Sequence, residues 1–223
     1  MYPDNGSPDG AYQKSFDEKM KLRRESGVSY PNANWTNLGP TPGYYFSYGN
    51  ISSRIVTVKF DPSNPNTIYV GAAYGGIWKS TDGGLNWVSK SDFEVSLSSG
   101  ALAIDPNNTN IIYYGTGEAT YSGASYYGRG LLKSTNGGDS WTNITAGLPF
   151  SSYFSRLVIK PGNSNTLFAA LGTSGLHMST DAGLTWSVVV SGRCDDVVFS
   201  PDGTKAYIVG SGTSYKMSTD GGA

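Results

Sequence analysis

Residues 80–87 read STDGGLNW, and variants of this octet return as STNGGDSW at 134–141 and STDAGLTW at 179–186. A fourth copy begins as STDGG at 218–222. The copies start 54, 45 and 39 residues apart, which is the size of one repeated supersecondary unit. A repeat of this kind predicts a fold that is built from similar blocks placed side by side.

Each octet follows a similar run of residues. An alternating or apolar strand comes first, then a turn that contains proline, then a strand rich in β-branched and aromatic residues, and then a short third strand. The tryptophan of each complete octet opens a fourth strand. Four short strands in about 40 to 50 residues are the content of one β-propeller blade. The sequence therefore predicts an all-β fold, a partial β-propeller with about three and a half four-stranded antiparallel blades.

The repeats divide the chain into an arm and a propeller portion. Residues 1–33 are predicted to form an arm, as a short helix or as disordered chain, because the segment FDEKMKLRRE is charged and has little apolar stripe. Residues 34–223 are predicted to form the propeller portion, with the remaining blades on the same polypeptide. Residues 35–40, WTNLGP, resemble 141–149 and predict an orphan outer strand. The predicted blades are residues 52–92, 99–147, 155–191 and 194–223.

The octets are predicted to be structural turns between the third and fourth strands. Their aspartate can accept hydrogen bonds from backbone N–H groups two residues further on, and the uncharged Asn136 can do the same. Because a charge is not needed, a metal or catalytic role is disfavoured. The glycine in fifth position suits a positive φ, and the tryptophan buries its ring. The structural residues are Ser80, Asp82, Gly84, Trp87, Ser134, Asn136, Gly138, Trp141, Ser179, Asp181, Gly183, Trp186, Ser218, Asp220 and Gly222.

The octets match S-x-D/N-x-G-x-x-W, which resembles the Asp-box, or bacterial neuraminidase (BNR) repeat. The resemblance covers about residues 35–223 and implies a β-propeller of the sialidase-like superfamily. Its members include sialidases, xyloglucan-specific glucanases, sortilin-type receptors and photosystem assembly factors. The segment 115–138, GTGEATYSGASYYGRGLLKSTNGG, resembles the sortilin-N-terminal type of repeat. The resemblance implies an N-terminal fragment of a larger secreted bacterial protein, and thus a secreted or cell-surface location.

The longest insertion within a blade, between its second and third strands, carries the candidate ligand site. Tyrosine rings stack on sugars and peptides at low entropic cost, so this insertion is predicted to bind a ligand. Glu118 is also a candidate catalytic acid; alternatively, it bonds the loop backbone or pairs with Arg129. The candidate ligand-binding residues are Glu118, Tyr121, Tyr126, Tyr127 and Arg129.

Two kinds of glycoside hydrolysis can be compared with the residues present. Inverting hydrolysis needs two carboxylates roughly 6.5–9.5 Å apart. A sialidase would need clustered arginines and an early Arg-Ile-Pro, whereas Arg54 is followed by Ile55 and Val56. The candidate acids are Asp92, Glu94, Glu118, Asp195 and Asp196, and the other arginines of the repeats are Arg129, Arg156 and Arg193.

Composition excludes several other classes of function. The formal net charge is −1, without a basic stripe, which disfavours nucleic-acid binding. The single cysteine, Cys194, excludes an internal disulfide, and the single histidine, His177, gives no support to a metal site. No apolar run approaches the roughly 18 residues needed to span a bilayer. We expect no cofactor, no metal, no nucleic-acid partner and no membrane insertion.

These features favour a non-catalytic extracellular binding or scaffold propeller that recognises a glycan, a peptide or a surface partner through face loops. The alternative is a glycoside hydrolase, sialidase-like or glucanase-like, with catalytic residues partly outside this chain. A second alternative is an assembly factor. Because a propeller hosts many activities, the fold does not choose among them.

Overall fold

The computed structural model describes residues 17–18, 21, 43–45, 49–51, 54–120, 125–149, 153–210 and 215–222. The chain falls into two compact units, Met1–Ser52 and Ser53–Ala223. In the first unit residues 17, 18 and 21 are helical and exposed, and strand β1 (Gly43–Tyr45) pairs antiparallel with β2 (Gly49–Ile51). The predicted boundary between residues 33 and 34 and the predicted orphan strand 35–40 lie outside the described residues.

The second unit contains four successive antiparallel sheets, which we call blades I to IV. Blade I has β3 (Ile55–Asp61), β4 (Asn64–Ala72), β5 (Gly76–Ser80) and β6 (Val88–Ser89). Blade II has β7 (Ser99–Ile104), β8 (Ile112–Thr116), β9 (Leu131–Ser134) and β10 (Thr142–Asn143). Blade III has β11 (Arg156–Lys160), β12 (Asn163–Ala170), β13 (Leu176–Ser179) and β14 (Ser187–Val190). The described part of blade IV has β15 (Asp196–Phe199), β16 (Ala206–Val209) and β17 (Lys216–Ser218).

The blades are arranged side by side around their first strands. Strand β7 contacts both β3 and β11, and β11 contacts β15. Each strand of a blade pairs with the strand that follows it in sequence, so the prediction of four-stranded antiparallel blades is confirmed. Among the described residues, the structure contains no helix that could span a bilayer.

The hydrophobic core is divided among the interfaces between blades. Tyr69 and Leu102 are buried between blades I and II. Phe154 and Leu157 are buried between blades II and III, and Phe168 packs against blade IV in the third cluster. Burying one large apolar side chain contributes about 1.5–3 kcal/mol, so the contacts between neighbouring blades contribute to the stability of each blade.

One position of the first strands shows this dependence directly. Leu102, Leu157 and Val197 occupy the same register position and are each about 1% exposed. Val58 occupies this position in blade I and is 48% exposed. The difference arises because no blade precedes blade I among the residues that the structure describes.

Because adjacent strands are antiparallel, the connections of each blade alternate between two faces. The octet face carries the turns between first and second strands together with the octets. The loop face carries the connections between second and third strands together with the crossovers between blades. We define the loop face by residues 73–75, 90–98, 117–120, 125–130, 144–149, 153–155, 171–175 and 191–195.

Candidate functional site

The octets form hydrogen-bonded turns on the octet face, between the third and fourth strands. Ser80 Oγ donates to Asp82 Oδ1 (2.8 Å) and accepts from the N–H of Gly84 (2.8 Å). Asp82 Oδ1 also accepts from the N–H of Asn86 (2.9 Å). These contacts join both ends of the turn to its centre. The fourth strand begins one residue after Trp87.

The expected acceptor pattern is wrong for the three complete octets. The carboxylate or amide oxygen accepts instead from the N–H four residues further on. The N–H of Thr185 donates to Asp181 Oδ1 (2.9 Å), and the N–H of Ser140 donates to Asn136 Oδ1 (3.0 Å). The serine Oγ that opens the octet accepts the inner N–H groups instead, which leaves the third residue free to bond the far side of the turn. Among the described octets, a hydrogen bond from the N–H two residues further on occurs only in the fourth copy, where the N–H of Gly222 donates to Asp220 Oδ1 (3.1 Å).

Hydrogen bonds keep the octet carboxylates ionised. The backbone and side chain of Asn86 hold the pKa of Asp82 at about 2, and the side chain and backbone of Thr185 do the same for Asp181. Asn136 has equivalent bonds without a charge. The common requirement is therefore an acceptor oxygen, and the described residues contain no group of three or more metal-ligating side chains.

The fourth residue of an octet links neighbouring blades through its carbonyl group. The carbonyl of Gly137 accepts from Tyr69 Oη (3.1 Å) and Lys79 Nζ (3.2 Å) of blade I. The carbonyl of Ala182 accepts in the same way from Tyr113 and Lys133 of blade II (3.1 Å each). The octets thus hold each blade to the one before it, at a distance from the loop face.

Four tyrosines on the loop face form two stacked pairs, which we call the tyrosine row. Tyr74, in the loop after β4, stacks on Tyr126 with ring centroids 4.6 Å apart. Tyr127 stacks on Tyr153, in the crossover to blade III, with centroids 5.0 Å apart. Tyr74 and Tyr127 are 65% and 64% exposed, and Tyr126 is 42% exposed. The pairs place solvent-accessible aromatic surface on elements of blades I, II and III. Tyr121 lies outside the described residues.

The insertion that carries Tyr126 and Tyr127 is anchored at its base. The N–H of Glu118 donates to the carbonyl of Tyr126 (3.0 Å) and to Ser98 Oγ (3.2 Å). The N–H of Arg129 donates to Thr116 Oγ1 (2.7 Å). These bonds close the loop on itself and attach it to the crossover from blade I.

The Glu118 side chain is fully buried and has two polar partners. Its carboxylate forms an ion pair with Arg54 (2.5 Å) and accepts a hydrogen bond from Thr120 Oγ1 (2.6 Å). Arg54 precedes the first strand of blade I and is 64 residues away in sequence. The sequence indicated the loop backbone or Arg129 as partners of Glu118. No local pattern identifies Arg54, because the pair forms only when two blades pack together.

The other candidate acids also lie on the loop face or at its edge. The single Nε–H of Arg193 lies 2.9 Å from both carboxylate oxygens of Asp195, in a bifurcated hydrogen bond, and Asp196 pairs with Arg156 (3.3 Å). Asp92 accepts from Ser89. Burial raises the pKa of the half-buried Glu94, in the crossover between blades I and II, above its usual value. This is the direction that a general acid needs.

Three arginines on the loop face or at its edge are each paired with a carboxylate: Arg54, Arg156 and Arg193. Their charges are therefore compensated within the protein. A sialidase uses clustered arginines to bind an anionic sugar, and these pairs disfavour that activity.

The remaining polar candidates, His177 and Cys194, are buried. His177 in β13 has one ring nitrogen 3.1 Å from the carbonyl of Ser174, and burial lowers its pKa. Cys194 is buried, and burial is the main cause that raises the pKa of its thiol to about 11. A thiol with a raised pKa is a poor nucleophile at neutral pH.

No family model matches the chain, but curated relatives do. A xyloglucanase from Paenibacillus sp is 32% identical over 144 residues, which cover 59% of this chain and 14% of the relative. A xyloglucanase from Hypocrea jecorina is 33% identical over 183 residues, which cover 81% of this chain and 18% of the relative. The chain therefore spans less than a fifth of the length of these relatives.

Solved structures agree with the fold. A GH74 enzyme from Niastella koreensis has a TM-score of 0.61 at 26% identity, covering 76% of this chain and 29% of that chain. An ancestral GH74 enzyme has a TM-score of 0.59 at 27% identity, covering 70% and 22%. YCF48 from Cyanidioschyzon merolae has a TM-score of 0.51 at 14% identity, covering 71% and 51%, and shares the fold alone. The predicted partial β-propeller is confirmed.

The prediction of a non-catalytic binding or scaffold protein is wrong. The curated relatives are xyloglucanases, and the solved structures at 26% and 27% identity are GH74 enzymes. These similarities favour the alternative, a glycoside hydrolase. The preference for a non-enzyme rested on the candidate residues of this chain, which say little about activity when the chain covers so small a share of its relatives.

Proposed function

We propose that this chain is part of a glycoside hydrolase that cleaves xyloglucan or a related polysaccharide, and that its loop face binds the polymer. The tyrosine row is the observation that supports this role within the chain. Two stacked pairs expose aromatic surface on three neighbouring blades. A polymer of linked sugar rings can contact several such rings at once, which a small ligand cannot.

The chemistry of the row suits carbohydrate. A tyrosine ring offers an apolar face to a sugar ring and a hydroxyl group to its substituents, with little rotamer entropy to lose. In each pair the rings cover one face of each other, so that the outer faces and the edges remain for a ligand. Because a polysaccharide is too large to cross a membrane, a hydrolase of this kind would act outside the cell, as a secreted or surface protein.

Glu94 is the described carboxyl group to examine first as the proton donor. It lies in the crossover 90–98 on the loop face, and burial favours its protonated form. An inverting mechanism also needs a second carboxylate roughly 6.5–9.5 Å away to activate water. Glu118 does not suit either role, because its carboxylate is buried and occupied by Arg54 and Thr120.

Affinity electrophoresis in gels that contain xyloglucan tests the proposal. The chain should be retarded relative to a gel without polysaccharide, and the double variant Tyr126→Ala/Tyr127→Ala should lose most of the retardation. Phe60→Ala is the matched control, because Phe60 is 58% exposed in β3 and lies away from the loop face. If the double variant and the control migrate alike, the tyrosine row does not bind xyloglucan. Release of reducing ends from xyloglucan then tests hydrolysis in the same samples.

A further inference from the structure

The Arg54–Glu118 ion pair, at the edge of the loop face, has a shorter distance (2.5 Å) than the pairs of Arg156 and Arg193, and the proposed function leaves its role open. It joins residues of different blades, since Arg54 precedes β3 of blade I and Glu118 follows β8 of blade II. The Glu118 side chain is fully buried, whereas the Arg54 side chain is 47% exposed. A buried carboxylate needs its cation and its hydrogen bonds, because an unpaired buried charge is strongly unfavourable.

The backbone of Glu118 transmits this constraint to the tyrosine row. Its N–H donates to the carbonyl of Tyr126 (3.0 Å), and Ser98 Oγ bonds the same carbonyl (3.3 Å). A displacement of residue 118 would therefore displace Tyr126. The Tyr126 ring in turn stacks on Tyr74 of blade I at 4.6 Å.

Two links thus run in parallel between blade I and the insertion of blade II. One is the ion pair of Arg54 and Glu118, and the other is the stack of Tyr74 and Tyr126. Thr120 completes the arrangement, since its hydroxyl group donates to Glu118 (2.6 Å) and bonds Ser125 (3.0 Å), next to Tyr126. The carboxylate is therefore connected to both segments of the loop base.

We propose that Glu118 is a positioning residue for polysaccharide binding: paired with Arg54, it holds the described ends of the insertion, 117–120 and 125–130, so that Tyr126 stays stacked on Tyr74. This inference rests on the proposed function of the tyrosine row. It assigns Glu118 no contact with substrate, because the carboxylate has no exposed surface. Glu118 acts through Tyr126, and its effect on binding disappears when the Tyr126 ring is absent.

A double-mutant cycle on binding of a xyloglucan oligosaccharide tests this role. Glu118→Gln and Tyr126→Ala should each raise the dissociation constant by about two- to tenfold, the range that corresponds to the energy of an aromatic pair. The double variant should bind no more weakly than Tyr126→Ala alone. A purely structural role would instead lower the unfolding midpoint and leave the two effects on the dissociation constant additive.

Variants of Arg54, the exposed partner of the ion pair, provide a second test. Arg54→Gln should weaken binding as Glu118→Gln does, and the conservative Arg54→Lys should restore binding to within about twofold of the unchanged chain, because an ammonium group can still pair with the carboxylate. Urea denaturation of each variant confirms that it is folded at the temperature of the binding measurement. The Arg54 variants keep the test decisive if Glu118→Gln does not fold.

The possible results separate this inference from the proposed function. Unchanged binding in Tyr126→Ala would contradict the role of the tyrosine row itself. Weaker binding in Tyr126→Ala, with unchanged binding in Glu118→Gln and Arg54→Gln, would overturn only the positioning role. Additive effects in the double variant, or lost hydrolysis with unchanged binding in Glu118→Gln, would overturn it as well.

Discussion

Replacing Ser134 by alanine should destabilise the chain strongly, because this side chain closes the octet turn of blade II. Ser134 is 1% exposed. Its Oγ accepts from the N–H of Gly138 (2.9 Å) and, more weakly, from the N–H of Asn136 (3.2 Å). It also donates to Asn136 Oδ1 (2.9 Å).

The expected magnitude follows from what is left without a partner. Gly138 is buried, so its N–H would lose its acceptor without gaining water, at a cost of about 1–3 kcal/mol. Loss of the weaker bonds to Asn136 adds about 1 kcal/mol. Asn136 Oδ1 still accepts from the N–H of Ser140 (3.0 Å), which limits the damage. The free energy of unfolding should fall by about 2–4 kcal/mol.

Ser200→Ala provides the matched control within the same chain. Ser200 Oγ makes a similar set of bonds in a turn of blade IV, donating to Asp202 (2.5 Å) and accepting from the N–H of Lys205 (2.9 Å). This turn is exposed, so water can replace the lost partner and the cost should stay below about 1 kcal/mol. Urea denaturation followed by tryptophan fluorescence measures both variants. Equal losses of stability would refute the argument that burial of the octet serine decides its contribution.

Three further predictions concern acidity, an exposed side chain in the first strand of blade I, and hydrolysis. Burial lowers the pKa of His177 below its usual 6.5, so the unfolded chain takes up a proton at a higher pH than the folded chain does. The urea midpoint should therefore fall as the pH drops below 6.5. His177→Leu should flatten this decline, and an unchanged slope would contradict the prediction. Phe199→Ala should lower the free energy of unfolding by about 2 kcal/mol, because the Phe199 ring stacks on Phe168 at 5.1 Å. Phe60 occupies the same register position in blade I and is 58% exposed, so Phe60→Ala should cost less than about 0.5 kcal/mol. Urea denaturation measures both variants, and similar costs would show that the packing of blade IV is unimportant. Glu94→Gln should reduce release of reducing ends from xyloglucan at least about 100-fold with binding unchanged, and full retained activity would remove Glu94 as proton donor.

The fold could be predicted from the sequence because its pattern repeats over short stretches of the chain. Strand alternation, turn residues and the octets are visible within each 39- to 54-residue interval, because the hydrogen bonds that form a blade join strands adjacent in sequence. The octet turn was located correctly between the third and fourth strands, although its hydrogen-bond register was wrong. That register depends on the serine Oγ competing for the same N–H groups, as at Ser179 and Gly183, and a propensity argument for aspartate does not include this competition.

The functional prediction was weaker for a physical reason. A proton donor is recognised by its burial and by its neighbours, and Glu94 and Glu118 are indistinguishable as letters in a sequence. Packing buries Glu118 against Arg54 and raises the pKa of Glu94. The two acids therefore acquire different chemistry from environments that only the assembled blades create.

The blades, their order and the turn between third and fourth strands could be predicted from the sequence alone, because these features depend on contacts within a few tens of residues. The insertion with Tyr126 and Tyr127 was also visible as a departure from the repeat. The pairing of Tyr74 and Tyr153 with the tyrosines of the insertion, and of Arg54 with Glu118, could be seen only in the folded chain. Those contacts join different blades, and their energies appear only after the apolar faces between the blades have been buried.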